Sequence, residues 1–250
     1  MNPNEFIHFD NIHKSFGDHH VLQGITLDVR RGETLVILGG SGVGKSVLIR
    51  HITGLVRPDS GEVQVDGEVV TRLSESRLTS VRKKVAMLFQ GGALFDSMNV
   101  LENVGFGLRE HTRLSEAAIR AKVREKLALV ELEGVEELMP ANLSGGMKKR
   151  VALARAIAME PEAILYDEPT TGLDPVTANT INDLIRSLQK ALGVTSVVVT
   201  HDIQSTFKVG DRIAFLCDGG LCFVGSIEEA RRSDEPRLRR FLTGGEEGGE

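Results

Sequence analysis

The sequence predicts an α/β fold, a parallel sheet with crossover helices, and three observations lead there. A glycine-rich loop, GGSGVGKS at 39–46, lies between the apolar run TLVIL and the helix-like run KSVLIRHITGL. A second apolar run, AILYDE, ends in two carboxylates, and a helix-like segment over 175–191 then leads into a third, SVVVTH. Buried strand, helix and buried strand in that order describe parallel strands joined by helices. With 250 residues the chain can fill one large α/β domain, or a core plus a subdomain.

Taken in order, the first ninety residues alternate short β-like stretches with glycine turns: FIHF, then VLQGITLDVRRGE, TLVIL, and GEVQVDGEVV with its Asp-Gly turn. From 115 to 131 the period becomes helical. Ser115 can cap this segment, and Ile119, Val123, Leu127 and Val130 share one face, so it reads as a helical insert. MKKRVALARAIAM reads as a helix stopped at Pro161, and Pro175 suits the first turn of the next helix. Near the end, a short helix is expected with Asp234 as cap, Pro236 in its first turn, and Leu238, Phe241 and Leu242 on one face. So short a helix needs a surface to dock on, either its own core or a second copy of the chain. The acidic tail GGEEGGE, residues 244–250, is expected to be disordered.

Composition excludes several classes. A net charge of −5 provides no basic field for nucleic acid, so no nucleic-acid partner is expected. No apolar run approaches the roughly 20 residues that span a bilayer, and no leader pattern opens the chain, so a soluble protein is expected. Cys217 and Cys222 flank DGGL in a hairpin-like stretch and are expected to be reduced packing thiols. His8, His13, His19 and His20 lack metal-ligand spacing and read as solvated side chains.

Chemistry concentrates at a few positions. Gly39, Gly40, Ser41, Gly42, Val43, Gly44, Lys45 and Ser46 fit G-x-x-x-x-G-K-[ST], placed between strand and helix as that motif requires. Backbone amides there can cradle phosphates, Lys45 can reach the outer phosphate oxygens, and Ser46 can hold Mg²⁺. Asp167 and Glu168 end a buried strand, where one carboxylate can serve a metal and the next can polarise water, although such a pair alone also suits a solvated turn. Gln90 and His201 are single polar residues at strand ends, suited to metal, water or phosphate and, taken singly, equally to structural caps. Phe16 can stack on a purine or simply pack. Ser144, Gly145 and Gly146 open a second helix that favours an anion, without a lysine equivalent to Lys45. Such a start can only complete a site whose other half lies elsewhere, which points to ATP held between two copies of the chain.

The ordered set GGSGVGKS, Gln90, LSGGM, ILYDE, GLD at 172–174 and His201 resembles the nucleotide-binding subunits of ABC transporters, over nearly the whole chain. The resemblance implies a P-loop NTPase, RecA-like core with an antiparallel β subdomain and an α-helical subdomain at about 91–159, within an ABC ATPase domain over 1–243. It implies ATP and Mg²⁺ as ligands and a head-to-tail dimer. By the same resemblance Phe16 stacks on adenine, Lys45 and Ser46 bind phosphate and Mg²⁺, and Asp167 and Gln90 serve the metal. Ser144 and Gly146 touch the opposite γ-phosphate, Glu168 is the general base, Asp174 signals between copies, and His201 is the γ-phosphate switch. Phe16 stands where tyrosine is common, and Met147 where glutamine is common; neither change removes a reacting group.

Within that family, FQGGALFDSMNVLENVGFGL is most similar to ATPases of bacterial lipid-trafficking systems that serve MCE-domain proteins, the Mla type. This implies a peripheral place on the cytoplasmic face of the inner membrane, an integral membrane permease, an MCE-domain lipid-binding partner and a small STAS-domain companion. It also favours the second copy as the dock for the C-terminal helix. From the residues themselves, Ala93, Leu94, Phe95, Met98 and Val100 suit a docking groove or a subdomain core equally. A cassette ATPase for another cargo is the alternative. Non-transport relatives need a long coiled-coil insert or tandem cassettes, which the sequence lacks.

Overall fold

The computed structural model describes residues 4–244. Along the chain lie β1 (Glu5–Phe16), β2 (His19–Arg30), β3 (Thr34–Leu38), α1 (Lys45–Ile52), β4 (Ser60–Val65), β5 (Glu68–Val69) and α2 (Glu75–Lys84). Then come β6 (Val85–Leu88), α3 (Val100–His111), α4 (Glu116–Leu129), α5 (Gly145–Ile157), β7 (Ala163–Asp167) and α6 (Pro175–Leu192). The last elements are β8 (Thr195–Thr200), α7 (Ile203–Val209), β9 (Arg212–Cys217), β10 (Gly220–Ser226), α8 (Ile227–Arg232) and α9 (Pro236–Leu242). The chain divides into two compact units, one formed by residues up to 82 and from 195 onward, the other by residues 83–194.

The first unit carries an antiparallel sheet in the order β2-β1-β4-β5 and the strands β10-β9-β3-β8, in which β3 runs parallel to both β8 and β9. Every residue of β3 and of β8 is buried. That is why both read as unbroken apolar runs rather than alternating ones. In the second unit β6 and β7 pair in parallel, and α3, α4 and α5 pack on one another. Ser115 caps α4, accepting from the Ala118 amide at 3.3 Å, and Ile119, Val123 and Leu127 are buried, as the spacing predicts. Val130, also buried, caps the other end of α4.

Helix α3 was not foreseen. Its run VLENVGFGLREH holds two glycines, which weaken a helix pattern, but a full capping box between Asn99 and Glu102 starts it. A Cβ at Gly105 would lie 3.0 Å from Ile119 Cγ2, and one at Gly107 3.2 Å from Met159 Cγ, so the glycines set the spacing between helices.

Two expectations are corrected. Cys217 and Cys222 are joined as a disulfide, not held as separate thiols. A register shift between Leu221 and Phe223 on β10 brings Cys222 to a Cα–Cα distance of 6.0 Å from Cys217, within the range a disulfide can bridge. Helix α9 is capped by Glu235, whose side chain accepts from the Arg237 amide, and not by Asp234, because Pro236 takes the first helical position. Its apolar face docks within its own chain: Leu238 is fully buried, and the Phe241 ring lies 5.3 Å from that of Phe215 on β9. Within the acidic tail, residues 245–250 lie outside the described residues.

Candidate functional site

In the first unit, β3 and β8 run side by side with Leu38 opposite Thr200. Gly39 and His201 therefore leave the sheet together at its carboxyl edge, and His201 is exposed there. Gly39 must be glycine, because a Cβ would lie 2.5 Å from the backbone oxygen of Leu216 on β9. The loop turns through left-handed conformations at Gly42 (φ 81°) and Gly44 (φ 101°), the kind of turn in which backbone amides can gather around an anion. Gly44 is the N-cap of α1 and contributes no side-chain hydrogen bond. A glycine cap places no side chain over the helix start, and a phosphate suits such a position. Lys45 is buried, and its ammonium donates to the backbone oxygens of Gly39 at 2.8 Å and Gly40 at 2.7 Å, which holds the charge inside the loop. Phe16 ends β1 with half of its surface exposed (53%), and the Lys14 ammonium lies 5.2 Å from its ring centroid. An open aromatic face of this kind suits a purine.

In the second unit, Leu88 of β6 lies opposite Tyr166 of β7. Gln90, exposed, and the pair Asp167–Glu168, both buried, follow at the same strand ends. Glu168 adopts a left-handed backbone conformation, φ 48°, which a non-glycine residue holds at a cost of about 1–3 kcal/mol. Thr171 Oγ1 donates to Glu168 Oε2 at 3.1 Å and fixes the carboxylate. Strain at a buried, oriented carboxylate is the mark of a functional position, and spacing alone could not have exposed it.

The helix start at Ser144 is built differently. Ser144 Oγ accepts from the Met147 amide at 3.2 Å and caps α5, leaving its own hydroxyl proton to donate elsewhere. Gly146 must be bare, because a Cβ would come within 2.6 Å of Thr177 Cγ2. Thr177 is fixed in turn by Asp174, the N-cap of α6, which accepts from Thr177 N at 3.0 Å and Thr177 Oγ1 at 2.5 Å. The Thr177 hydroxyl and amide hold the Asp174 carboxyl below the usual carboxylate range. The structure thus brings Gly145, Gly146 and Asp174 to one surface, a link that the sequence did not disclose.

One residue escaped the sequence reading altogether. Lys149 lies in the helix-like run MKKRVALARAIAM with no role read for it, yet it is buried and donates to the backbone oxygen of Gln90. Burial pushes its ammonium down, and the carboxylates of Asp167 and Glu168 act against that shift.

A phosphate loop on a helix start, strand-end carboxylates, and a second glycine helix start with no lysine of its own together define an ATP-binding cassette. The model of the ABC transporter family matches residues 22–171, and the chain belongs to that family. It is 46% identical over 228 residues to the intermembrane phospholipid transport system ATP-binding protein MlaF of Escherichia coli (strain K12), covering 91% of this chain and 85% of that protein. The protein of the same name from Haemophilus influenzae is 42% identical over 248 residues, covering 99% of this chain and 94% of its own. Among solved structures, a dimeric post-hydrolysis state of the ATP-binding cassette MJ0796 with ADP and Pi matches with a TM-score of 0.82 at 35% identity, covering 88% of this chain and 98% of that one. The expected fold class, a P-loop ABC cassette, is thereby established, and the chain is an ATPase of this type that binds ATP.

Proposed function

We propose that this chain is the ATP-hydrolysing subunit of a bacterial phospholipid transporter, working as a head-to-tail pair of copies on a separate membrane permease. The observation that carries this reading is the 46% identity, over 91% of the chain, to a protein named for intermembrane phospholipid transport. The site residues described above supply the chemistry. Lys45 and the amides of 39–46 bind and orient the phosphates, and Phe16 stacks on the base. Ser46 has a hydroxyl and Asp167 a buried carboxylate, each an oxygen donor of the kind a hard cation takes, and Mg²⁺ would neutralise phosphate charge. Gln90 orients the attacking water, Glu168 accepts its proton, and His201 answers to the terminal phosphate. Ser144 and Gly146 of the second copy complete the phosphate contacts, and Asp174 relays between copies.

Among the described residues no helix is long and apolar enough to cross a membrane. The lipid path is assigned to a separate permease, and this chain to the cytoplasmic face of the inner membrane, on its similarity to the intermembrane phospholipid transport protein. A cavity of about 670 Å³ in the second unit, lined by Met98, Leu101, Glu102, Phe106 and Arg109 among others, is the dock we assign to the permease. Phe95, exposed at 42%, packs its ring 5.0 Å from that of Phe106. Val100 is fully buried and belongs to the core, so the groove is narrower than the run 93–106 suggested. An MCE-domain protein and a small STAS-domain protein complete the proposed assembly.

Purification of the membrane complex through this chain, followed by mass spectrometry of its proteins and extracted lipid, tests the reading. A permease, an MCE-domain protein and bound phospholipid are expected. A complex carrying a different cargo and no phospholipid would refute it.

A further inference from the structure

The residues that follow Gln90 are held by side chains rather than by a strand ladder. From α5, Lys149 donates to the Gln90 oxygen, while Arg155 donates to the oxygens of Gly92 and Ala93, both at 2.8 Å. Ala93 is left-handed, φ 48°, and the Arg155 guanidinium lies 5.7 Å from the Phe95 ring centroid. From α3, the fully buried Asn103 accepts from the Phe95 amide at 2.8 Å and donates to the oxygens of Phe95, Met98 and Asn99. The segment is therefore fastened to two helices, and the fastening nearest Gln90 is Lys149.

A lysine is an unexpected choice for that task. A neutral donor would satisfy one carbonyl, whereas an ammonium that is only 6% exposed persists only if its charge is compensated. Asp167 and Glu168 supply part of that compensation, their carboxylates opposing an effect of burial that remains the larger. Helix α5 packs on β6, the strand that leads to Gln90, and it begins at Ser144. One side chain thus relates three parts of the site: the backbone of Gln90, the strand-end carboxylates and the helix opened by Ser144.

We infer that Lys149 is a positioning residue for hydrolysis, fastening the Gln90 backbone to α5. The inference rests on the proposed roles of Glu168 and Gln90. Its consequence is that Gln90, which serves the nucleotide of its own copy, moves with the helix whose start serves the nucleotide of the other. Removing the ammonium should leave the phosphate cradle at 39–46 intact and damage the step that needs Gln90 and Glu168 in register.

The test is steady-state ATPase measurement on the assembled membrane complex carrying Lys149→Met, Lys149→Gln, Lys149→Arg or Glu168→Gln. For Lys149→Met, kcat is expected to fall at least about 10-fold while KM for ATP stays within about 3-fold, because a transition-state interaction is lost and ground-state binding is kept. Lys149→Arg, which keeps charge and donors, should recover most of kcat, and Lys149→Gln, which keeps a donor without charge, should not. Wild-type kcat in Lys149→Met, or losses of kcat and ATP affinity that track a lowered thermal midpoint in every variant, would overturn the inference. If Lys149→Met does not fold, Lys149→Gln decides: reduced kcat with an unchanged midpoint supports the inference, and unchanged kcat overturns it. Glu168→Gln separates the two levels. Persisting hydrolysis in that variant removes the base assignment and this inference with it, whereas an inactive Glu168→Gln beside a fully active Lys149→Met removes the inference alone.

Discussion

Two helices of this protein begin on glycine-rich turns, and their first residues are satisfied in opposite ways. At α1 the N-cap is Gly44, left-handed and without a side-chain hydrogen bond, and the buried lysine next to it folds its ammonium onto the loop. At α5 the N-cap is Ser144 in an extended conformation, and its own oxygen accepts from Met147 N. A serine cap is worth about 1 kcal/mol, so α5 starts stably on its own, while the start of α1 gains most from a ligand that accepts from its amides. The difference fits the proposed division of labour, in which the loop at 39–46 holds a nucleotide and LSGG offers a hydroxyl proton and a cleared surface that complete a site. Lys149, on the same helix, donates to the Gln90 backbone oxygen and not to its own helix start.

That contrast breaks most directly at Lys45. Lys45→Ala should weaken ATP binding by the separate chain by about 100-fold, since a charge-assisted contact to phosphate is lost. Ser144→Ala should change the affinity of the separate chain by less than about 2-fold, yet slow turnover in the assembled complex by about 100-fold, as loss of an oxyanion-type donor does. Calorimetric titration and steady-state turnover read the two effects. Ser144→Asn sharpens the comparison, because asparagine keeps a capping acceptor: it should restore the thermal midpoint lost in Ser144→Ala and leave turnover low.

Smaller effects are expected at the glycines. Gly146→Ala pushes a methyl to 2.6 Å from Thr177 Cγ2 and should cost about 1–3 kcal/mol in denaturant unfolding. Gly42→Ala meets open space, so its cost should be only the left-handed backbone term, about 1–2 kcal/mol. The smallest effect belongs to His51, fully buried on α1, whose Nδ1 lies 2.8 Å from the Val56 oxygen. Burial holds its imidazole below the ordinary value of 6.5, so the unfolded chain takes up the proton first as pH falls. The stability from neutral His51 is therefore present above that value and lost as pH drops through it. Between pH values of about 7.5 and 5.5 the wild type should lose roughly 1 kcal/mol more unfolding free energy than His51→Phe.

The parts legible in the sequence were those where one short run decides the outcome. TLVIL and SVVVT are buried on every side and so announce themselves, and the glycines of 39–46 follow from the left-handed turn and the approach of Leu216. What stayed hidden depends on residues far apart in the chain. Helix α3 was masked by Gly105 and Gly107, whose reason lies in Ile119 and Met159. The strain at Glu168 is a backbone property without a sequence pattern, and the buried Lys149 bonds to Gln90, 59 residues before it in the chain. The disulfide required a register shift on β10 that places Cys222, and α9 found its dock on Phe215 rather than needing a second copy for its apolar face.

The central claim is that one copy holds each nucleotide and the other completes its site, and mixed dimers test it directly. In a Glu168→Gln background, which should trap bound ATP, a chain carrying Lys45→Ala is paired with a chain carrying Ser144→Ala, and occluded nucleotide per dimer is counted. A second dimer pairs a chain carrying both substitutions with one carrying neither. Completion across copies predicts a single occluded nucleotide in the first dimer, where an unaltered loop faces an unaltered Ser144, and none in the second. Nucleotide retained in the second dimer and absent from the first would mean that each copy completes its own site, and would contradict the account.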